Sequence, residues 1–225
     1  GLYRGENPKD TQDTRTGLLG VEVVPTADGL KVTSVLDKSP AARDESRLQV
    51  GDVITQVNQQ SVKSANFYQL LNGYANQRVL LDIKRADQPT EVVLWPTTSL
   101  SDEKYDNWVE TRRKLTEEYS NGRLGYLHIR GMNWTSFERF ERELMAAGYG
   151  KDGIVIDVRY NGGGWTTDYL MAVLNVEQHA YTIPRGATDN LDKDQKKFRD
   201  KYPYSERLPL SAWTKPSIAM SNENS

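Results

Sequence analysis

One segment carries the clearest structural signal in this chain: Gly153-Ile154-Val155-Ile156-Asp157-Val158-Arg159-Tyr160-Asn161-Gly162-Gly163-Gly164. Its first half is almost continuously apolar, which is typical of a central parallel strand that is covered on both faces. The three glycines then allow the backbone to turn sharply and to come close to another group. Because the apolar residues of 165–174 have helical spacing, the segment predicts a buried strand, a glycine turn and a helix.

This glycine turn is the first place to look for chemistry. At the start of a helix the backbone N–H groups have no partner within the helix and point outward. They suit a phosphate, a carboxylate or the oxyanion that forms during acyl transfer. A tight strand–helix connection without a ligand explains the same glycines equally well. Two common phosphate sites are excluded, because there is no G-x-G-x-x-G pattern and no Lys-Ser/Thr pair after the glycines.

Composition limits the classes of function. The chain has 225 residues, of which 27% are charged and 37% hydrophobic, and its net charge is −2. This balance is ordinary for a soluble protein, and we expect no nucleic-acid partner. No apolar run approaches the ~18 residues that cross a bilayer, so we expect no membrane partner either. The chain starts at Gly1 without methionine or a signal peptide, which indicates a piece of a longer protein.

The counts of cysteine and histidine limit the chemistry further. Without cysteine this chain has neither disulfides nor a thiol nucleophile. Two histidines and no cysteine argue against a tetrahedral zinc site. We therefore expect no metal and no other cofactor.

The pattern of short strands and helices predicts four consecutive regions. Residues 1–16 are polar and lack periodicity, and are predicted to be a linker. Residues 17–98 are predicted to form a compact domain, residues 99–122 a connecting helix capped by Ser101, and residues 123–225 part of an α/β domain. Within the first domain, strands are predicted at residues 18–24, 31–36, 53–57, 79–83 and 91–94, and helices after Ser39 and at residues 66–75.

The last region alternates strands and helices, as parallel βα units do. A strand is predicted at residues 124–129, and a helix at residues 137–147 with Thr135 or Ser136 as its cap. Residues 184–212 are polar and are predicted to be a long surface loop. A further strand begins at Ile218, and its sheet needs more chain to be completed.

The first domain resembles a bacterial-type PDZ domain, which implies a small β-barrel with two helices. In that family Leu18, Leu19, Gly20 and Val21 would form the loop whose N–H groups hold the carboxylate of a peptide C-terminus. The bound peptide adds a strand beside this loop. One position departs from the family pattern, since Gln59 stands where glycine is more usual. The resemblance rests on four segments: Gly17-Leu18-Leu19-Gly20-Val21, Ser39-Pro40-Ala41, Leu48-Gln49-Val50-Gly51-Asp52-Val53-Ile54 and Val57-Asn58.

The last region resembles the tricorn protease family and its relatives, the C-terminal-processing serine peptidases. With the PDZ domain and the connecting helix in the same order, the resemblance covers nearly the whole chain. It implies an α+β fold in which the PDZ domain is followed by part of a crotonase/ClpP-like α/β domain. The segments that carry it are Arg123-Leu124-Gly125-Tyr126-Leu127-His128-Ile129, residues 154–164 and Ala219-Met220-Ser221-Asn222-Glu223-Asn224-Ser225.

The resemblance implies roles for the glycine turn. In tricorn-like enzymes the third glycine of this turn donates its backbone N–H to the oxyanion, a role that falls on Gly164. One fixed donor of this kind typically lowers the barrier by ~3–4 kcal/mol. Gly162, Gly163 and Trp165 are assigned to the substrate-binding surface beside it.

The same resemblance implies that the nucleophile lies outside this chain. The family's nucleophilic serine falls two residues beyond Ser225, and the catalytic serine–histidine pair would precede Gly1. His128 and His179 have no catalytic counterpart, and we expect both to be structural. Because a triad needs a base within hydrogen-bond reach of its nucleophile, this chain alone is expected to be inactive.

Substrate preference is expected to involve Thr182. In tricorn the preference for basic residues depends on an acidic side chain at the matching position. A neutral threonine cannot pair with a buried lysine or arginine, so we expect a preference for uncharged residues. Asp189 or Asp192 nearby could restore acidity.

These inferences predict a fragment of a serine endopeptidase that cleaves peptides or unfolded proteins through an acyl-enzyme. We expect the full-length protein to be a homo-oligomer. Two alternatives remain, a non-catalytic PDZ scaffold that binds peptides and a crotonase-type acyl-transfer enzyme, against which the PDZ domain argues. The resemblance to tricorn favours the cytoplasm, with the periplasm as the alternative.

Overall fold

The computed structural model describes residues 15–44, 47–175, 183, 185–201 and 213–225. The chain divides into two compact units, and the division falls between Trp108 and Val109. Each unit has its own sheet and its own hydrophobic core. Within the described ranges no helix combines the length and the apolarity that crossing a membrane requires.

The first unit is built on a six-stranded antiparallel sheet. Five strands follow in the order β1-β2-β3-β5-β6, and β4 pairs with β3 outside this path. Alternate residues of β5 face the core, as expected of a sheet with one buried face. This unit confirms the predicted β-rich part of the fold. Its strands are β1 (Val21–Pro25), β2 (Leu30–Val35), β3 (Val53–Val57), β4 (Gln60–Ser61), β5 (Val79–Arg85) and β6 (Gln88–Leu94), with a 3-10 turn (Pro40–Ala42) at the helix predicted after Ser39.

The strand predicted at residues 18–24 starts later than expected. Leu18 exchanges backbone hydrogen bonds with Thr97, at 2.8 and 2.9 Å. Gly20 then has a φ of +83°, which interrupts an extended strand. β1 therefore begins at Val21.

The helix predicted at residues 66–75 is much shorter in the structure. Helix α1 spans Phe67–Leu70 and is capped by the Asn66 side chain. Gly73 has a φ of +77°, so the chain after α1 turns instead of continuing as a helix. The apolar spacing that suggested a longer helix instead serves core packing, since Leu71 is buried.

A long helix follows, as predicted. Helix α2 spans Ser101–Tyr119, and the division between the two units falls within it. Ser101 is not its cap. It is the first residue of the helix, and its N–H donates to the Ser99 hydroxyl at 3.2 Å.

The second unit contains a parallel sheet in the order β7-β8-β9. Its central strand is β8, which is buried as its continuous apolar pattern predicted. Helix α3 packs against β7 and β8. The predicted strand–helix–strand–helix order is confirmed. The elements are β7 (Leu124–His128), α3 (Trp134–Gly148), β8 (Gly153–Asp157), α4 (Thr167–Leu174) and β9 (Ser217–Met220).

Helices α3 and α4 begin at positions other than those predicted. The cap of α3 is Asn133, whose side chain accepts the Ser136 N–H at 2.9 Å. Neither Thr135 nor Ser136 has that role. Helix α4 begins at Thr167, two residues later than its apolar spacing suggested.

The prediction of a loop over residues 184–212 is wrong in part, because helix α5 spans Leu191–Lys201. The Asn190 side chain accepts the Lys193 N–H at 3.1 Å, and two aspartates occupy the first turn. Both features stabilise a helix start, even where the helix has few apolar residues. Residues 202–212 lie outside the described ranges.

Candidate active site

The glycine turn, residues 161–164, follows the carboxyl end of β8, the edge of a parallel sheet where ligands usually bind. Gly164 has a φ of +154°, and an isolated parallel bridge joins it to Met132. A Cβ on Gly164 would lie 2.2 Å from the Met132 carbonyl oxygen. Gly163 has a φ of +81°. Both positions therefore require glycine for reasons internal to the chain.

Gly162 has no such internal reason. Its φ lies outside the left-handed region, and a Cβ there would meet no described heavy atom within 4 Å. Other residue types would fit at this position. A glycine of this kind is typical of a place where another backbone or a ligand approaches closely.

The side chain of Asn161 holds the turn from within. Asn161 is buried, and its Nδ2 donates to the Ile129 carbonyl at 2.8 Å. Its Oδ1 accepts the Gly163 N–H at 2.9 Å. The turn is thus tied to the end of β7 through one amide group.

An ion pair between the buried Asp157 and the partly exposed Arg159 stabilises the end of β8. Asp157 accepts the Arg159 Nε at 2.9 Å, the Arg159 Nη2 at 2.5 Å and the Tyr126 hydroxyl at 2.7 Å. Burial alone would raise the pKa of Asp157, but these bonds outweigh it and hold the pKa below its ordinary value. Burial and the bond to Asp157 raise the pKa of Tyr126. At neutral pH the carboxylate is therefore charged and the tyrosine hydroxyl is a donor.

His128 contacts the backbone of the same region. Its Nε2 lies 2.8 Å from the Arg159 carbonyl oxygen, and since a carbonyl only accepts, Nε2 carries the hydrogen. Burial lowers the pKa of His128, so the neutral ring is favoured. This contact supports the turn and involves no nucleophile.

Asn222 has a role that the sequence did not suggest. It follows β9, and its Oδ1 accepts the Tyr160 N–H at 3.2 Å, the Asn224 N–H at 3.2 Å and the Ser225 hydroxyl at 3.0 Å. The Ser225 Oγ in turn accepts the Asn222 N–H at 2.9 Å. Asn222 therefore joins the segment after β9 to the segment after β8. An asparagine two residues after a strand is the signal that could have indicated it.

The other predicted site residues are distributed as follows. Trp165 comes directly after the turn, and 63% of it is exposed. Asp189 and Asp192 are exposed, before and within the first turn of α5. Thr182 and His179 lie outside the described ranges. Among the described residues no group of three or more histidine, aspartate or glutamate side chains could hold a metal ion.

The first unit has a cavity of its own, with a volume of about 440 Å³. The predicted carboxylate loop lines it through Leu18, Leu19, Gly20 and Val21. Such a cavity suits a peptide end that combines an apolar side chain with a charged group. Its other walls come from residues in or next to β1, β2, α1 and the start of α2: Gly17, Glu22, Ser34, Leu36, Phe67, Tyr68, Leu71, Leu100, Lys104 and Asn107.

Comparison with known families accounts for both units. Residues 17–94 match the PDZ domain model, and residues 123–225 match the model of peptidase family S41. The chain is a tricorn-like member of peptidase family S41 that carries a PDZ domain.

Two relatives illustrate how much of a tricorn protease this chain represents. It is 27% identical over 191 residues to the tricorn protease of Thermoplasma volcanium, covering 83% of this chain and 17% of that protein. It is 33% identical over 156 residues to a tricorn protease homolog of Saccharolobus solfataricus, covering 68% of this chain and 14% of that protein. The tricorn-like chain thus spans a small part of the length of these relatives.

A solved structure supports the same fold. The crystal structure of the tricorn protease superposes with a TM-score of 0.72 and 22% identity. The match covers 93% of this chain and 20% of the other. This likeness confirms the predicted fold of a PDZ domain followed by a peptidase α/β unit.

Proposed function

We propose that the glycine turn of this tricorn-like chain binds the oxyanion in a serine peptidase site, with the Gly164 N–H as a donor. The observation that carries the proposal is the open space at Gly162. The other two glycines of the turn are explained by their own backbone conformation and contacts, whereas Gly162 is not. A peptide backbone lying along residues 162–164 accounts for that space. Trp165 would contact the same peptide.

The chemistry depends on a rigid turn. In acyl transfer a serine oxygen attacks the scissile carbonyl, whose oxygen becomes negatively charged. A donor that already points to this oxygen needs no reorganisation as the charge develops. The hydrogen bonds of the buried Asn161 and of the Asp157–Arg159 pair support this proposal, because they restrain the turn and the end of β8. On the family pattern, the nucleophile would follow Ser225 by two residues.

Peptides are the substrates implied by membership of a peptidase family. We extend this in two respects. With a neutral Thr182 at the expected specificity position, the longer protein would prefer uncharged residues there. The longer protein would also assemble into a homo-oligomer.

A second candidate function is peptide capture without chemistry. It is favoured by the cavity of about 440 Å³ beside Leu18, Leu19, Gly20 and Val21. A peptide C-terminus bound there would pair with β1 and place its last side chain among apolar residues. Capture and cleavage are compatible, since the PDZ domain would hold a substrate that the peptidase unit cuts.

The test uses the longer protein that contains this chain. It is labelled with a fluorophosphonate probe, and the adduct is located by peptide mapping. We expect one adduct, on the serine two residues beyond Ser225, and no adduct after denaturation. If the folded and assembled protein takes up no label, the acyl-transfer proposal is wrong and peptide capture is favoured. An adduct on another serine would contradict the assignment of the nucleophile.

A further inference from the structure

Three exposed aromatic side chains lie beside the glycine turn, and we call them the aromatic shelf: Trp134, Trp165 and Tyr169. Their exposed fractions are 46%, 63% and 41%. The two tryptophan rings are parallel within 2°, with centroids 6.2 Å apart. The Tyr169 ring stands nearly perpendicular to both, at 5.8 Å from Trp134 and 6.1 Å from Trp165.

The aromatic shelf is anchored to the core. Phe137 is buried, and its ring centroid lies 5.4 Å from that of Trp134 and 5.8 Å from that of Tyr169. Trp134 and Tyr169 are themselves on the first turns of α3 and α4. Side chains held in this way lose little conformational freedom when a ligand covers them.

The exposure of these rings indicates that a ligand covers them. Clustered exposed aromatic side chains cost free energy in water, and such patches on soluble proteins commonly mark binding sites. Their position indicates which ligand binds them. Trp165 directly follows Gly164, so the aromatic shelf lies next to the turn where the peptide substrate is proposed to bind. A ligand backbone that fills the open space at Gly162 would therefore have side chains within reach of the rings.

We infer that the aromatic shelf binds one large apolar or aromatic side chain of the peptide substrate, close to the scissile bond. The inference rests on the proposed function of the glycine turn and adds a substrate class to it. In an extended peptide successive side chains point to opposite faces at a spacing of about 3.3 Å, so one side chain in two faces the shelf. Tryptophan and tyrosine rings pack favourably against other aromatic rings, in stacked or edge-to-face arrangements.

The experiment measures peptide binding to the longer protein by fluorescence anisotropy. The probes are three fluorescein-labelled peptides of glycine and serine, identical except for a central Trp, Ala or Arg. Their C-termini are amidated, which prevents capture of a free carboxylate in the PDZ cavity. Mass spectrometry after each titration shows whether the peptides are intact.

We expect the Trp peptide to bind about tenfold more tightly than the Ala peptide, as one aromatic contact of ~1.4 kcal/mol implies. Trp165→Ala should reduce this ratio to less than about twofold, and Trp165→Phe should restore most of it. Tyr149→Ala is the matched control, because Tyr149 is 88% exposed in the same unit and away from the shelf. It should leave the ratio unchanged.

Three outcomes overturn the inference: equal binding of the Trp and Ala peptides by the unmodified protein, a ratio that survives Trp165→Ala, and an Arg peptide that binds as tightly as the Trp peptide. Fluorophosphonate labelling of the same samples separates this inference from the proposed function. Labelled protein without a Trp preference refutes the shelf alone. Unlabelled protein that keeps a Trp preference sensitive to Trp165 refutes acyl transfer and supports the shelf as a peptide site.

Discussion

At the scale of single residues, the glycines of the turn at residues 161–164 are present for different physical reasons. Gly164 is required because a Cβ would lie 2.2 Å from the Met132 carbonyl oxygen. Gly162 is not required by any described neighbour. Substitution can therefore separate the structural contribution of the turn from its contribution to binding.

We expect Gly164→Ala and Gly162→Ala to act differently in the longer protein. The first should displace the turn and reduce the rate of fluorophosphonate labelling by about 100-fold or more, since a donor is lost. The second should leave thermal stability unchanged and weaken peptide cleavage only. A similar loss of stability in both variants would show that the fold also requires glycine at position 162.

His128 predicts acid sensitivity in a defined window. Burial lowers its pKa from the ordinary value of 6.5, so the unfolded chain binds the proton first as the pH falls. The free energy of unfolding should therefore be steady above about pH 6.5 and decrease below it. Asp157 adds a loss only at lower pH, because its pKa is held below 3.8.

Urea unfolding at several pH values checks this window. His128→Gln keeps a donor for the Arg159 carbonyl but cannot titrate, so the decrease between about pH 6.5 and 5 should be smaller than in the unmodified chain. His179 is present in both proteins and cancels in the comparison. Identical slopes would exclude His128 as the cause.

At the scale of elements, the ends of β8 and β9 are joined by Asn222. Its Oδ1 accepts hydrogen bonds from Tyr160 on one side and from Asn224 and Ser225 on the other. The turn after β9 leads toward the expected nucleophile, and the turn after β8 contains the expected oxyanion donor. We therefore propose that Asn222 is a positioning residue for both.

Only an acceptor is needed from this side chain, which allows a sharp test. Asn222→Ala should cost about 1–2 kcal/mol and speed hydrogen exchange at the Tyr160 amide, whereas Asn222→Asp should restore protection. In the longer protein the alanine variant should lower kcat more than it changes KM. Equal effects of the two substitutions would contradict the acceptor role.

At the scale of the whole molecule, we propose that the two units provide separate peptide sites of different chemistry. The cavity beside the carboxylate loop would recognise a free C-terminus, and the glycine turn would recognise an internal peptide bond. Gly20 is central to the first, since its φ is +83° and a Cβ would lie 2.2 Å from the Ser39 Cβ.

A peptide with a free C-terminal carboxylate and an apolar last residue should bind the full chain, and amidation should weaken it by about tenfold or more. Gly20→Ala should abolish this difference, because the loop must move to accommodate the Cβ. Tyr119→Ala, at a residue that is 79% exposed, is the control. Fluorescence anisotropy measures both affinities. Equal binding of acid and amide by the unmodified chain would refute carboxylate capture.

Much of this architecture was predictable from local patterns. The continuous apolar run at residues 153–158 predicted the central strand, because both of its faces are covered. The alternation of strands and helices predicted the parallel sheet, and motif resemblance predicted the PDZ unit. Local hydrophobic patterns record burial, which is why element type was predicted better than element ends.

What the sequence alone determined was thus the order of elements, the family and the location of the glycine turn. Tertiary structure decided which glycine is free of internal constraint, how Asn222 joins two turns and how Trp134, Trp165 and Tyr169 come together. It also shortened α1 and formed α5 where a loop was expected. The physical reason is that bridges and ring contacts join residues far apart in the chain, whereas caps depend on single side chains, and neither leaves a periodic signal in the sequence.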